Sequence, residues 1–376
     1  MMERPDWIAD FADPEIRSRL KPFVGNRKEP MQTIQDAVAR FEQRKADVAL
    51  AKETEADFMN MRYKGWHGLG AFDAEERAVA NDLLGFQAHL VFPTEAFNQV
   101  IAADDQEVLI GGIRALNRGM SSFCSVDPRM VGTAYVPLGQ GPEITLMLLQ
   151  EAIDADFRAL LIDTVAPVGA RSFTHPDYDP VWAKIQESDL AVTLHIGAQG
   201  GEYRAVPQSF FNNGKAQLNH SSGDAPPNVM SYMGMPFNAQ LFLAAMIFDG
   251  VLERFPRLRI AVVELGASWI ISWMQHLDQA HRAFRRLQDL SDVKMKPSEY
   301  VQRQIKVTPF AGEDIGWLLT SGAGDLLMFA SDYPHHEGTD DPIGRYERTM
   351  ASVSESLKEK FYAENFRQFM GSRFQR

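Results

Sequence analysis

Seven short, nearly continuous apolar runs, each followed by a stretch long enough for a helix, constrain this chain more than any other feature. They lie at residues 89–94, 131–138, 159–164, 191–197, 259–266, 305–309 and 326–331. A strand buried on both faces reads as an unbroken apolar run, whereas a half-solvated strand alternates. Such runs alternating with helices imply a parallel sheet covered by those helices. Residues 33–51 carry apolar positions at helical spacing, and Asp179-Pro180 reads as an N-cap with proline at the first helical position. The expectation is an α/β fold of the (β/α)8 type, one run short of the eight strands that close such a barrel. A chain of 376 residues fits one such domain with insertions. It divides into a helical N-terminal part, 1–85, a barrel core, 86–340, and C-terminal helices, 341–376.

Composition excludes several function classes. A net charge of −12 argues against a nucleic-acid surface or an anionic membrane as partner. The single cysteine, Cys124, cannot form an internal disulfide, which fits a reducing cytoplasm. No apolar leader opens the sequence, and no run is long and uncharged enough to span a bilayer. There is no G-x-S-x-G elbow and no Walker loop, and Gly139-Gln140-Gly141 is too short a glycine signal for a dinucleotide. The expected partner is a small-molecule substrate.

Barrel enzymes keep their catalytic groups where strands end, so the residues closing each run matter most. His195 closes one, Glu264 another, and Asp332 follows the last, in Ser331-Asp332-Tyr333-Pro334-His335-His336. Asp163 and Thr308 close two more and read equally well as loop caps. A lone histidine in an apolar strand is commonly a hydrogen-bonded core residue, and Asp332 could serve an Asx turn before Pro334. His195 gains weight from Gly197, Gly200 and Gly201, which leave room for a ligand. An imidazole and a carboxylate at the ends of parallel strands suit Zn²⁺ or Mn²⁺. The polar excursion 198–228 follows directly, is long enough to act as a substrate cover, and carries His220 as a candidate substrate contact.

These segments together resemble a known family. Leu194-His195-Ile196-Gly197, Val263-Glu264-Leu265-Gly266 with Trp269, Ser331 to His335, Trp66-His67-Gly68-Leu69-Gly70, and His175-Pro176-Asp177 are similar to the amidohydrolase-related metal-dependent barrels. The nearest branch includes aminocarboxymuconate semialdehyde decarboxylase and γ-resorcylate decarboxylase. The resemblance implies a metal-dependent lyase or hydrolase for a small organic, possibly aromatic, acid. His195 would be a metal ligand, and Asp332 a ligand and acid/base group. Glu264 would be catalytic, at a position that is histidine in those decarboxylases. His335 would orient the carboxylate or touch substrate, and His67 would contact substrate or be structural. A homodimer is implied in the same way. The His-x-His first strand of the family is absent, and residues 5–11 look like the segment downstream of it. The expectation is therefore a shortened barrel that binds Zn²⁺ or Mn²⁺ weakly, with a catalytically impaired, ligand-binding barrel as the alternative. His89 reads as a rim residue, and His276 and His281 as part of a solvated helix face.

Overall fold

The computed structural model describes residues 1–4, 6–25, 29–101, 103–164, 169, 171–196, 214, 229–336, 338–372 and 374. They fall into two compact units. One is built on Met1–Tyr135 with Asp332–Asp341, and the other on residues 136–196, 229–331 and 342–376.

In the first unit, β1 (His89–Val91) and β2 (Met130–Tyr135) pair in parallel, His89 opposite Met130 and Val91 opposite Gly132. Between them runs the helix Gln106–Cys124, capped by Asp105, whose side chain accepts from Val108 N. Its buried face carries Val108, Ile113, Leu116, Met120 and Phe123. Close approach of this helix to β2 depends on Gly132, where a Cβ would lie 2.7 Å from Met120 Cγ. The single helix expected over 33–51 is in fact two, Met31–Ala46 and Val48–Ala56. Asp47 separates them, because its carboxylate accepts from Ala49 N and Leu50 N and so starts a second helix.

In the second unit, β3 (Ala159–Ile162), β4 (Ala191–His195), β5 (Arg259–Val263) and β6 (Ile305–Val307) lie side by side in chain order, all parallel. Residues of β3, β4 and β6 are buried throughout, which is why they read as apolar runs. The run 326–331 contributes only a parallel bridge, Leu327 beside Val307. It leaves the sheet at Phe329, whose N–H donates to Phe361 O, where the ring packs against Tyr346, Phe361 and Tyr362. Helices Asp179–Glu187, Phe237–Phe248 and Ile270–Phe284 bury Trp182, Leu243 and Ile270 completely. Asp179 is the first helical residue rather than the cap. Among the described residues no helix is long and apolar enough to cross a membrane.

Candidate active site

Parallel strands deliver their C-terminal residues to the same edge of a sheet, and β4 and β5 do so in register. His195 pairs with Val263, which makes Glu264 the next residue along. His195 Nε2 and Glu264 Oε2 lie 2.8 Å apart, with both side chains more than nine-tenths buried. Glu264 has a left-handed backbone, φ +59°. Its N–H donates to Thr308 Oγ1 at 3.1 Å, and Thr308 N in turn donates to Val262 O at 3.0 Å. Thr308, just past β6, thus holds the end of β5.

Left-handed backbone in a residue other than glycine costs about 1–2 kcal/mol, so its location is informative. Among the described residues it occurs at Asp156, Asp189, Glu264 and Asp332. Asp156 and Asp189 lie in the turns that follow helices Pro142–Asp154 and Asp179–Glu187, where short polar side chains tolerate it. The other two are the carboxylates that the sequence places at strand ends.

The first unit carries Asp332. His335 Nδ1 lies 3.2 Å from Asp332 Oδ1, and His335 N donates to Asp332 O at 2.8 Å. The second ring nitrogen, Nε2, lies 3.2 Å from Thr94 Oγ1. Tyr333 is fixed by its hydroxyl, which donates to Leu69 O at 2.8 Å and is pushed well above the usual phenol range by burial. Pro334 O accepts from Gly65 N at 2.6 Å. Gly65 has φ +59°, and a Cβ there would lie 2.4 Å from His336 Cε1, so the turn Gly65–His67 interlocks with the 332–336 segment. Lys64, fully buried, donates to Thr339 O at 3.0 Å and lies 5.1 Å above the Tyr333 ring. Burial lowers the His336 imidazole, helped by the Lys64 charge. Burial, with Arg40 nearby, does the same to His67. Both histidines are accordingly favoured as neutral rings.

The other residues singled out by sequence fall elsewhere. His89 opens β1 and is half-buried as a whole. Its ring nitrogens are sealed from solvent, it packs edge-on to Phe86, and burial with the Arg77 charge pulls it down to about 3. His276 is exposed and His281 half-exposed. Burial pushes the Cys124 thiol up to about 12, which removes it as a nucleophile. His220 and the excursion that carries it lie outside the described residues, apart from Gly214. Sequence reasoning missed Thr94 and Lys64. It left Thr308 as a loop cap, the one signal that could have found a support for Glu264.

A divalent ion fits these donors. Imidazole nitrogen and carboxylate oxygen are the ligand types for Zn²⁺ and Mn²⁺. Two such atoms bound side by side at about 2.0–2.2 Å sit roughly 3 Å apart, the spacing found in both the His195–Glu264 and Asp332–His335 pairs.

A family model described as Amidohydrolase matches residues 34–370. The chain belongs to the amidohydrolase family. It is 22% identical over 260 residues to 2-amino-3-carboxymuconate-6-semialdehyde decarboxylase of Dictyostelium discoideum, a match covering 68% of this chain. The chain spans 65% of the length of that relative. An amidohydrolase from Mycobacterium avium subsp. paratuberculosis K-10 superposes with a TM-score of 0.67 at 19% identity, over 80% of this chain and 75% of the other. A 5-carboxyvanillate decarboxylase from Novosphingobium aromaticivorans gives 0.63 at 18% identity, over 90% and 93%, and that structure holds bound manganese. The fold of this family member is therefore the α/β, (β/α)8 type that the apolar runs imply.

Proposed function

We propose that this amidohydrolase is a metal-dependent carboxy-lyase that removes CO₂ from a small aromatic acid in the cytoplasm. The observation that carries the reading is the buried His195–Glu264 pair at the C-terminal edge of β4 and β5, with Glu264 in a left-handed backbone. A surface ion pair would not need that conformation. The names of the curated relative and of one solved neighbour, both decarboxylases, favour lyase over hydrolase chemistry. The run 326–331, parallel to β6 at Leu327, ends at the residue before Asp332 and so supports its assignment to the same chemistry.

In this reading His195 would be a ligand for Mn²⁺ or Zn²⁺, and Asp332 would be a ligand and acid/base group. The bound cation supplies electrostatic attraction for the substrate carboxylate and a neighbouring hydroxyl. Glu264 holds the His195 ring in its orientation. Asp332 would take up a proton from water and pass it to the ring carbon as the carbon–carbon bond breaks, so that the carboxylate leaves as CO₂ and the carbon gains the proton in its place. His335, between Asp332 and Thr94, orients that carboxylate. His67, favoured as neutral, offers substrate a hydrogen bond without a competing charge, and His220 contacts substrate from the excursion after β4. In this reading the protein acts as a homodimer.

The test is direct. The purified chain, loaded with Mn²⁺ or Zn²⁺, is incubated with hydroxylated benzoates and unsaturated dicarboxylic acids, and CO₂ release is measured beside metal stoichiometry. Release dependent on the metal supports the reading. Stoichiometric metal with no turnover of any acid points to a ligand-binding barrel, and no metal uptake removes the metal from the proposal.

A further inference from the structure

We infer that Glu313 is a positioning residue that holds Glu264 against His195 by clamping the loop after β5. Its carboxylate serves no helix of its own: Asp314, the next residue, caps Ile315–Leu318 by accepting from Trp317 N at 2.9 Å. Glu313 reaches back 46 positions instead. Ala267 N donates to both of its oxygens at 3.0 Å, Ser268 N to Oε1 at 2.6 Å, and Ser268 Oγ also to Oε1. Phe310 N donates to Oε2 at 2.6 Å, so one side chain ties together the loops that follow β5 and β6.

The clamp closes immediately beyond the left-handed Glu264. Gly266, two residues on, is also left-handed at φ +67°, and a Cβ there would lie 3.2 Å from the Phe310 ring and 3.5 Å from Glu313 Oε2. The segment 264–268 is thus a reversal with few backbone bonds of its own. It is held at one end by Thr308 and at the other by Glu313. Hydrogen bonds from N–H groups to a charged carboxylate are about twice as strong as neutral ones. Several such bonds converge on the Glu313 carboxylate and oppose relaxation of Glu264 out of the left-handed region. Release of the loop would let Glu264 swing from His195, because no local sequence preference keeps a glutamate in that conformation.

This inference rests on the role proposed above for the His195–Glu264 pair, so its test includes a readout that needs no metal. Glu313→Gln keeps the shape but removes the charge and one acceptor. In the metal-free protein, the ring ¹⁵N and ¹³C resonances of His195, assigned by a His195→Gln control, should shift in Glu313→Gln. Amide exchange in residues 265–269 should speed up at least tenfold, while the remaining peptides stay within twofold. Mn²⁺ affinity, measured by calorimetry, should fall by at least tenfold, the usual range for loss of a group that orients a ligand. Ser268→Ala, which removes only the hydroxyl contact, should show the same changes in smaller measure and serves if Glu313→Gln does not fold. A lowered melting temperature with unchanged His195 resonances and unchanged Mn²⁺ affinity would make Glu313 merely structural and overturn the inference. If the unaltered protein takes up no metal, the functional reading fails, and the clamp is judged on the resonances and exchange alone.

Discussion

Replacing Thr308 by valine tests whether Glu264 is held in its unusual backbone from outside. The side chains have nearly the same volume and both are β-branched, so packing and strand preference are preserved. What is lost is Oγ1, the acceptor for Glu264 N at 3.1 Å in a residue that is 5% exposed. If the loop stays in place, the N–H is left without that partner, at a cost of about 1–3 kcal/mol. If Glu264 instead relaxes, roughly 1–2 kcal/mol of strain is recovered and the contact to His195 is given up. The less costly of the two routes sets the outcome, so the loss of stability should be at most about 1–3 kcal/mol. Mn²⁺ affinity should fall along the second route and hold along the first. Urea denaturation followed by tryptophan fluorescence, with an unchanged m-value, gives the stability term, and calorimetric titration gives the affinity. A stability change below about 0.3 kcal/mol, well under the cost of an orphaned N–H, with unaltered Mn²⁺ binding would show that Thr308 does not hold Glu264.

Asp332→Asn should lower the turnover of any acid found as substrate by about a hundredfold or more, the range for loss of an acid/base group, with the circular dichroism unchanged. His195→Ala should instead weaken metal affinity more than turnover at saturating metal, and near-normal behaviour of both variants would refute the assigned roles. Gly65→Ala should destabilise by about 2–4 kcal/mol through left-handed strain plus overlap with His336. Gly85→Ala, also left-handed but with nothing within 4 Å of the added Cβ, should cost only about 1–2 kcal/mol; equal melting shifts would refute the steric argument. Burial pulls the Lys306 ammonium down to about 8, below its ordinary value near 10.4. Between those two values the unfolded chain binds the additional proton, so stability relative to Lys306→Met should rise from pH 8 to pH 10. The rise is at most about 3 kcal/mol, and a flat difference in urea midpoints across that window would refute it.

Six of the seven apolar runs are strands, and in β2, β3, β4 and β6 it is burial on both faces that leaves its mark on composition. The seventh carries the same mark for a different reason. Residues 326–328 are buried and 329–331 half-buried, and from Phe329 the run packs against aromatic side chains of the C-terminal region rather than between strands. An apolar run reports depth and not pairing. His89 shows the converse, since the first residue of a strand has no periodic neighbour before it to reveal how deeply it lies. Asp47, in contrast, was readable: an aspartate ahead of Val48-Ala49-Leu50 is a capping signal, and helical spacing on both sides concealed it. The positions of His195 and Glu264 at strand ends followed from the runs alone, Asp332 follows a run that makes only a bridge, and the left-handed backbone of the two carboxylates was not legible.

That last difference has a common physical origin. Turning the chain sharply straight after β5 leaves the Glu264 carboxylate at the end of its strand instead of carrying it onward, and both Glu264 and Asp332 adopt the left-handed backbone at a cost of about 1–2 kcal/mol each. A glutamate does not favour this conformation and an aspartate only tolerates it, so partners distant in sequence help to impose it. For Glu264 those are Thr308 and Glu313. For the segment after Asp332 they are Gly65, whose N–H meets Pro334 O, and Leu69, whose carbonyl accepts from Tyr333. Most of these contacts use a backbone N–H or carbonyl on at least one side. A backbone donor is indifferent to which side chain its residue carries, so the turns can persist while most side chains change. Relatives at 18–22% identity can then share this fold, and the identity score registers few of the groups that enforce the conformation of the site.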